Sequence, residues 1–275
     1  MKETLKWLWR ITKENFGNKA DDSIRIEFDK TNDLKVMTFN IRRDNPKDGE
    51  NNWQYRRDAI VTMIADVKPD IICMQEVMPH MAKFLKSKLS KYYDCTGLEC
   101  FTNGELTKSL CIVGEGLLTM YRKDRFRLCG KEVIKLFDGR KINLRRAYVT
   151  YLRDDFSERF RAVVNTHFCH KSEEAREKSF NKLWWDWNKE KGFFYRTFIC
   201  GDFNCTGCKP HIWSAFFKNP QSELGTINFF SGASKKTIDF ILSNVPFSES
   251  NVIREEYGGV KFLSDHWPVM NTYKL

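Results

Sequence analysis

Thr197-Phe198-Ile199-Cys200-Gly201-Asp202-Phe203-Asn204 is an apolar, partly β-branched run that stops at a glycine and passes at once to a carboxylate and an amide. Such a run reads as a buried strand, and open sheets present their chemistry at the C-terminal edge of their strands. Taken alone, Gly201-Asp202-Phe203-Asn204 has a plainer reading: an Asx-type turn in which Asp202 and Asn204 satisfy local backbone. The rest of the chain separates the two readings.

The same pattern recurs along the sequence. Leu34 to Phe39 leads to Asn40, Asp70 to Gln75 leads to Glu76, and Val163-Val164-Asn165-Thr166 leads to His167. Late in the chain Asp239 sits inside the strand pattern Thr237 to Leu242, and the last element, His266 to Tyr273, starts from Ser264-Asp265-His266-Trp267-Pro268. Carboxylates, amides and two histidines that repeatedly end apolar runs are poorly explained by solubility; they imply strand termini converging on one polar site.

Between these strands the spacing of Ala59, Ile60, Met63, Ile64 and Val67 predicts a helix from Trp53 that Pro69 stops. Further helices are expected over His80 to Leu89, from Ser172 to about Lys191, and over Pro210 to Phe217. Strand patterns fall near 92–95, 116–121, 126–135, 146–153 and 159–167. Hairpin-like and helical connections together predict an α/β fold with mixed sheets. The loop from Asp44 to Asn52 imitates a calcium loop at Asp44, Asp48 and Gly49, but Pro46 takes a ligand position and Tyr55 stands where a bidentate glutamate is needed.

The 275 residues, 41% hydrophobic with 22 phenylalanines and 8 tryptophans, are enough for a large core and exclude a disordered chain. A formal net charge of +10 favours polyanionic partners, either nucleic acid or an anionic phospholipid surface. Nine cysteines without regular spacing suggest reduced thiols and a cytoplasmic location. Lys6 and Arg10 interrupt the apolar residues of 1–20, so no signal peptide or membrane span is expected. Residues 1–33 read as a lead-in, helical in part; an interfacial helix touching a membrane surface is the secondary reading for 1–20, after packing on the domain.

Met37-Thr38-Phe39-Asn40-Ile41-Arg42, Gln75-Glu76, Asn165-Thr166-His167, Gly201-Asp202-Phe203-Asn204, Ile238-Asp239-Phe240 and Ser264-Asp265-His266-Trp267-Pro268-Val269, in that order, resemble the endonuclease/exonuclease/phosphatase superfamily. The similarity runs from about Leu34 to Tyr273. It looks nearest a bacterial-type branch through Trp53, Arg56-Arg57, Tyr121 to Phe126 and Thr166-His167-Phe168-Cys169-His170. The resemblance implies a four-layer α/β/β/α sandwich with two mixed β-sheets packed face to face, forming one domain over residues 34–275.

It also implies a phosphoesterase that uses Mg2+, with Mn2+ as a substitute. By resemblance Glu76, Asn40 and Asp265 hold the metal, and hard oxygen ligands suit magnesium. Asp202 and Asn204 position the phosphate and the nucleophile, and His167 acts at the phosphorus or the leaving oxygen. His266 is a base or phosphate contact oriented by Asp239; whether Asp202 or His266 takes the proton stays open. Glu115 is a candidate partner for His167, while Arg42, Arg146 and His170 are candidates for substrate phosphate.

The net charge favours nucleic acid and a nuclease or other phosphodiesterase. The alternative is a phosphatase or phospholipase C-like enzyme acting on inositol phosphates or lipid head groups, and the third reading is a silent binding module. Against silence, Glu76, Asp202, Asn204 and His266 are all present. Cys200, Cys205, Cys208 and His211 have zinc-ligand chemistry at compressed spacing, and buried or loop thiols are the preferred account. A monomer is the default oligomeric state.

Overall fold

The computed structural model describes residues 2–17, 23–29, 31–97, 114–138, 145–188, 195–206, 225–232 and 236–274. In chain order it contains α1 (Lys2–Gly17), β1 (Leu34–Asn40), a 3-10 segment (Pro46–Asn51), α2 (Trp53–Val67), β2 (Ile71–Val77), α3 (Pro79–Leu89), β3 (Tyr93–Gly97) and β4 (Gly116–Arg122). These are followed by β5 (Phe126–Lys135), β6 (Arg146–Asp154), β7 (Arg159–His167), α4 (Glu173–Asn181), a π segment (Lys182–Asn188), β8 (Arg196–Asp202), β9 (Asp239–Ser243), β10 (Glu249–Val252) and β11 (Val269–Tyr273).

The strands form two mixed sheets. One has the order β10-β11-β1-β2-β4-β3, with β1 and β2 parallel; the other runs β5-β6-β7-β8-β9, with β7 and β8 parallel. Side chains alternate across a strand, and that alternation sorts the core into layers. Leu34 and Val36 of β1 meet Val163 of β7, Phe198 and Cys200 of β8 and Ile241 of β9 between the sheets. Their neighbours Met37 and Phe39 pack outward on α2 and α3, and Val164, Ile199 and Leu242 pack outward on Phe180 of α4. The result is an α/β/β/α sandwich.

Several boundaries differ from expectation, and β9 starts at Asp239, which therefore stands at the strand's first position and not inside it. After Ser172, whose side chain caps the helix by accepting from the Ala175 N–H, the α-helix ends at Asn181 and continues as the π segment. The last strand starts at Val269, so His266 precedes it and is joined instead to Ile227 by an isolated bridge. The short edge strand β10 carries only Val252 as an apolar signal, too little for a period of 2 to register. The expected helix over Pro210 to Phe217 lies outside the described residues.

The lead-in is packed onto the sandwich. Ile11 and Ile26 are buried, and Arg10 reaches the fully buried Asp44 at 2.6 Å. Asp44 also accepts from Asn52 at 3.0 Å and meets His80 Nε2 at 2.8 Å, so the loop resembling a calcium site is an ion-paired hub. Leu5 and Trp9 of α1 face solvent. Among the described residues, no helix is long and apolar enough to cross a membrane.

Candidate active site

The same alternation that buries Val36, Val163 and Phe198 places Thr38 and Asn40, Asn165 and His167, and Cys200 and Asp202 on the inner faces of their strands. Apolar side chains fill the middle of the sandwich, and polar ones appear where the strands end. Register then sets them side by side: Asn40 lies opposite Gln75, His167 opposite Asp202, and Asp202 opposite Asp239. Gly201 permits this approach, because a Cβ there would stand 2.1 Å from the Thr166 carbonyl oxygen.

Glu76 reaches the site by breaking the alternation. The pairing of β2 with β4 shifts register between Met74 and Val77, and Glu76 takes φ 60°. A bulge of this kind re-aims a side chain at a sheet edge. Its Oε1 accepts from Asn40 Nδ2 at 3.2 Å and its Oε2 from the Arg43 N–H at 3.0 Å. Asn204, at φ 52°, donates its backbone N–H to Asp202 Oδ1 at 2.8 Å and its side-chain amide to the Phe168 carbonyl at 3.0 Å.

Asp202 Oδ2 is the centre of the cluster. Asn40 Nδ2 donates to it at 3.1 Å, His167 Nε2 stands 3.5 Å away and His266 Nε2 3.8 Å away. The other ring nitrogen of His266, Nδ1, lies 2.9 Å from Asp239 Oδ2, which also accepts from Thr226 Oγ at 2.6 Å. Ser264 anchors the segment that carries His266 by donating to the Asn40 carbonyl at 2.6 Å. Below this layer Gln75 Nε2 donates to Asn165 Oδ1 at 2.9 Å, a buried amide pair that ties the two sheets together under the site.

Burial and neighbouring charges divide the protonation states. Burial, reinforced by Asp239, pushes Asp202 up to about 7. His266 loses basicity to burial but gains more from Asp239, Asp202 and Asp265, and rises to about 10. Burial and the charges of Arg145, His266 and His170 hold His167 well below the usual histidine range, so it is neutral. Glu76 is opposed by burial, yet the Arg43 N–H, His266 and Arg42 keep it below the usual glutamate value. One imidazolium, one neutral imidazole, one firmly ionised carboxylate and one carboxyl poised near neutrality therefore share one pocket edge.

The model of the endonuclease/exonuclease/phosphatase family matches residues 37–266, which takes in every residue of this cluster. The chain belongs to that family. Solved structures agree on the fold. An endonuclease/exonuclease/phosphatase protein of Bacteroides vulgatus is 27% identical, with a TM-score of 0.73, covering 89% of this chain and 100% of its own. A mannosyl-6-phosphatase of Bacteroides thetaiotaomicron is 20% identical (TM-score 0.72, 86% and 98% covered), and the human Nocturnin catalytic domain is 20% identical (0.66, 90% and 96%). Comparison with curated protein sequences gives no match.

Within this family frame, several residues hold other partners than the sequence suggests. Asn40 turns its NH2 toward Glu76 and Asp202, and its oxygen accepts from the Arg42 N–H at 3.1 Å, so it orients two carboxylates. Glu115 pairs with Arg43 at 3.3 Å, not with His167. Arg42 is held by Asp48 through two contacts of 3.0 Å and reaches Asp265 at 3.4 Å, which places it beside the site. Arg146 is buried at the start of β6, next to the end of β7, and His170 is exposed three residues past His167.

Cys200 is a free thiol beside Cys73 that burial keeps protonated, so it offers no thiolate to zinc, and Cys205 is partly buried against the outer core. Cys208 and His211 lie outside the described residues. Residues without a sequence signal also matter here: Arg43 and Thr226 act through a backbone N–H and a lone hydroxyl, which no spacing rule announces.

Enzymes of this family are typically divalent-metal dependent, and the donor set of this chain fits a hard cation. Glu76 is ionised, its carboxylate is fixed at both oxygens by N–H donors, and Asp265 is close enough for its carboxyl to feel the Glu76 charge. Among the described residues Asp202, Asp239 and His266 also bring ligand atoms within 4.8 Å of one another, and Asp239 Oδ1 is buried without a hydrogen-bond partner. In that second group the His266 nitrogen nearest Asp239 is already engaged with it, which suits proton handling better than ligation.

Proposed function

We propose that this chain is a divalent-metal-dependent phosphoesterase whose substrate is a phosphodiester of nucleic acid. The observation that carries the reading is the position of Asp202, hydrogen-bonded by Asn40 and Asn204 and flanked by His167 and His266 on its Oδ2 side. A carboxylate raised to about 7 takes a proton from an attacking water near neutral pH. The His266 imidazolium, oriented by Asp239, donates to a phosphoryl oxygen, and neutral His167 donates its N–H to the same group or to the leaving oxygen. Glu76 and Asp265 would hold the cation, which supplies charge neutralisation at the phosphoryl oxygens.

The substrate reading rests on charge. A net +10 and the arginines around the site, Arg42, Arg43, Arg145 and Arg146, suit a polyanion longer than one phosphate. The mannosyl-6-phosphatase among the structural neighbours keeps a phosphomonoester as the second reading.

The test is hydrolysis of DNA, RNA, inositol phosphates, sugar phosphates and phospholipid in Mg2+ or Mn2+, with chelation and Asp202→Ala and His266→Ala as controls. Cleavage of DNA or RNA that both substitutions reduce at least 100-fold is expected. Turnover of monoesters alone would move the assignment to a phosphatase, and an inert wild type would end the enzyme reading.

A further inference from the structure

The turn at 228–231 is built from residues that suit it badly. The Ser231 N–H donates to the Asn228 carbonyl at 2.9 Å, and the two central residues, Phe229 and Phe230, have φ 53° and 55°. Two successive positive φ values define a turn that Asn and Gly occupy, because an L side chain there crowds its own carbonyl. Phenylalanine at both positions is an outlier, and such strain persists only where its surroundings hold it.

The surroundings are the active site. The N–H groups of Asn228 and Phe229 donate to the Asp265 carbonyl at 2.7 and 3.1 Å, Asn228 Nδ2 donates to the Ser264 carbonyl at 3.1 Å, and Ile227 bridges His266. Phe230 has a packing role, since the guanidinium of buried Arg56 lies 5.6 Å from its ring centre and itself donates to the Ile41 carbonyl. Phe229 has no such account. Its side chain is 60% exposed on a turn bolted to the segment that carries Asp265 and His266.

We propose that Phe229 is a substrate-binding residue whose ring stacks on a nucleobase next to the scissile phosphate. The inference rests on the phosphodiester reading above and narrows it to a substrate with a planar ring. A flat, pre-positioned aromatic is what sequence-tolerant recognition of unpaired bases uses, because every base offers a π face. The turn, held by its hydrogen bonds to Asp265, fixes the backbone that carries the ring before substrate arrives, so only side-chain rotamers remain to be ordered on binding.

The experiment compares a short single-stranded oligonucleotide with an abasic strand of equal length, by fluorescence anisotropy without divalent cation and by hydrolysis with Mg2+. Phe229→Gly is expected to weaken binding of the base-bearing strand about tenfold more than of the abasic strand, and to raise its KM in the same proportion. Phe229→Trp restores the preference. Because glycine relieves the backbone, Phe229→Gly also raises Tm, by about 2 °C.

Equal losses on the two strands, or no loss, would overturn the stacking role, as would a fall in Tm, which would make the ring a structural element. A wild type that binds the base-bearing strand with this dependence on Phe229 but cleaves neither strand would uphold the stacking role and overturn the hydrolase reading.

Discussion

At the scale of single residues, Asp202 makes the sharpest commitments. Its carboxyl titrates near 7 because burial and Asp239 both oppose its charge. Activity therefore rises with pH through about 7 as Asp202 ionises, and Asp202→Asn removes that limb of the kcat/KM profile while lowering kcat by about 100- to 10,000-fold. Stability moves the other way. A carboxyl whose folded pKa lies above its unfolded value of 3.8 binds more protons when folded, so ionising it destabilises the fold as pH rises from about 4 to about 7. Urea titrations should find the stability of Asp202→Asn gaining on that of wild type across this window and level beyond it. The motif residues were legible because each is chemically conspicuous at the end of an apolar run. Arg43 was not, since it acts on Glu76 through a backbone N–H that any residue carries.

At the scale of elements, the parallel pair β7 and β8 sets the width of the site. His167 and Asp202 are adjacent because the strands run in register, and that register needs the bare backbone of Gly201 against Thr166. Gly201→Ala should destabilise the protein by about 1–3 kcal/mol through overpacking, and lower kcat because the shift moves Asp202 relative to His167. Chemical denaturation with kinetics on the same sample checks both. Helices and strands with strong periodicity, such as α2 and β8, could be read from sequence; β10 could not, because an edge strand with a single apolar residue, Val252, carries no hydrophobic alternation. Nor does periodicity announce the bulge at Glu76, which works by breaking it.

At the scale of the whole molecule, basic charge and a single polar edge act together. Binding of nucleic acid to the catalytically dead Asp202→Ala protein should weaken steeply with salt, with a slope of log K against log [salt] near −0.7 for each phosphate neutralised on a single strand. A flat response would reduce the +10 to solubility and favour a small monoester substrate. The lead-in belongs to this scale too. Arg10 ties α1 to Asp44 of the loop that follows Asn40 and Arg42, and Asn52 and His80 of α3 hold the same carboxylate, so α1 is anchored at the site's periphery.

The sequence alone determined the α/β class with mixed sheets, the order of the motifs and the residue types at the polar edge, because hydrophobic periodicity and strand termini are local properties. Tertiary structure decided which side chains meet. It turned the Asn40 amide toward two carboxylates, gave Glu115 to Arg43, closed His266 onto Asp239, and left Phe229 exposed on a strained turn. Those outcomes depend on register, a bulge and the packing of segments far apart in the chain, and none of these is encoded in the spacing of any one segment. The opening run has gained in the same way: Asp202 is not the cap of a local turn alone but the carboxyl on which two sheets and two histidines converge.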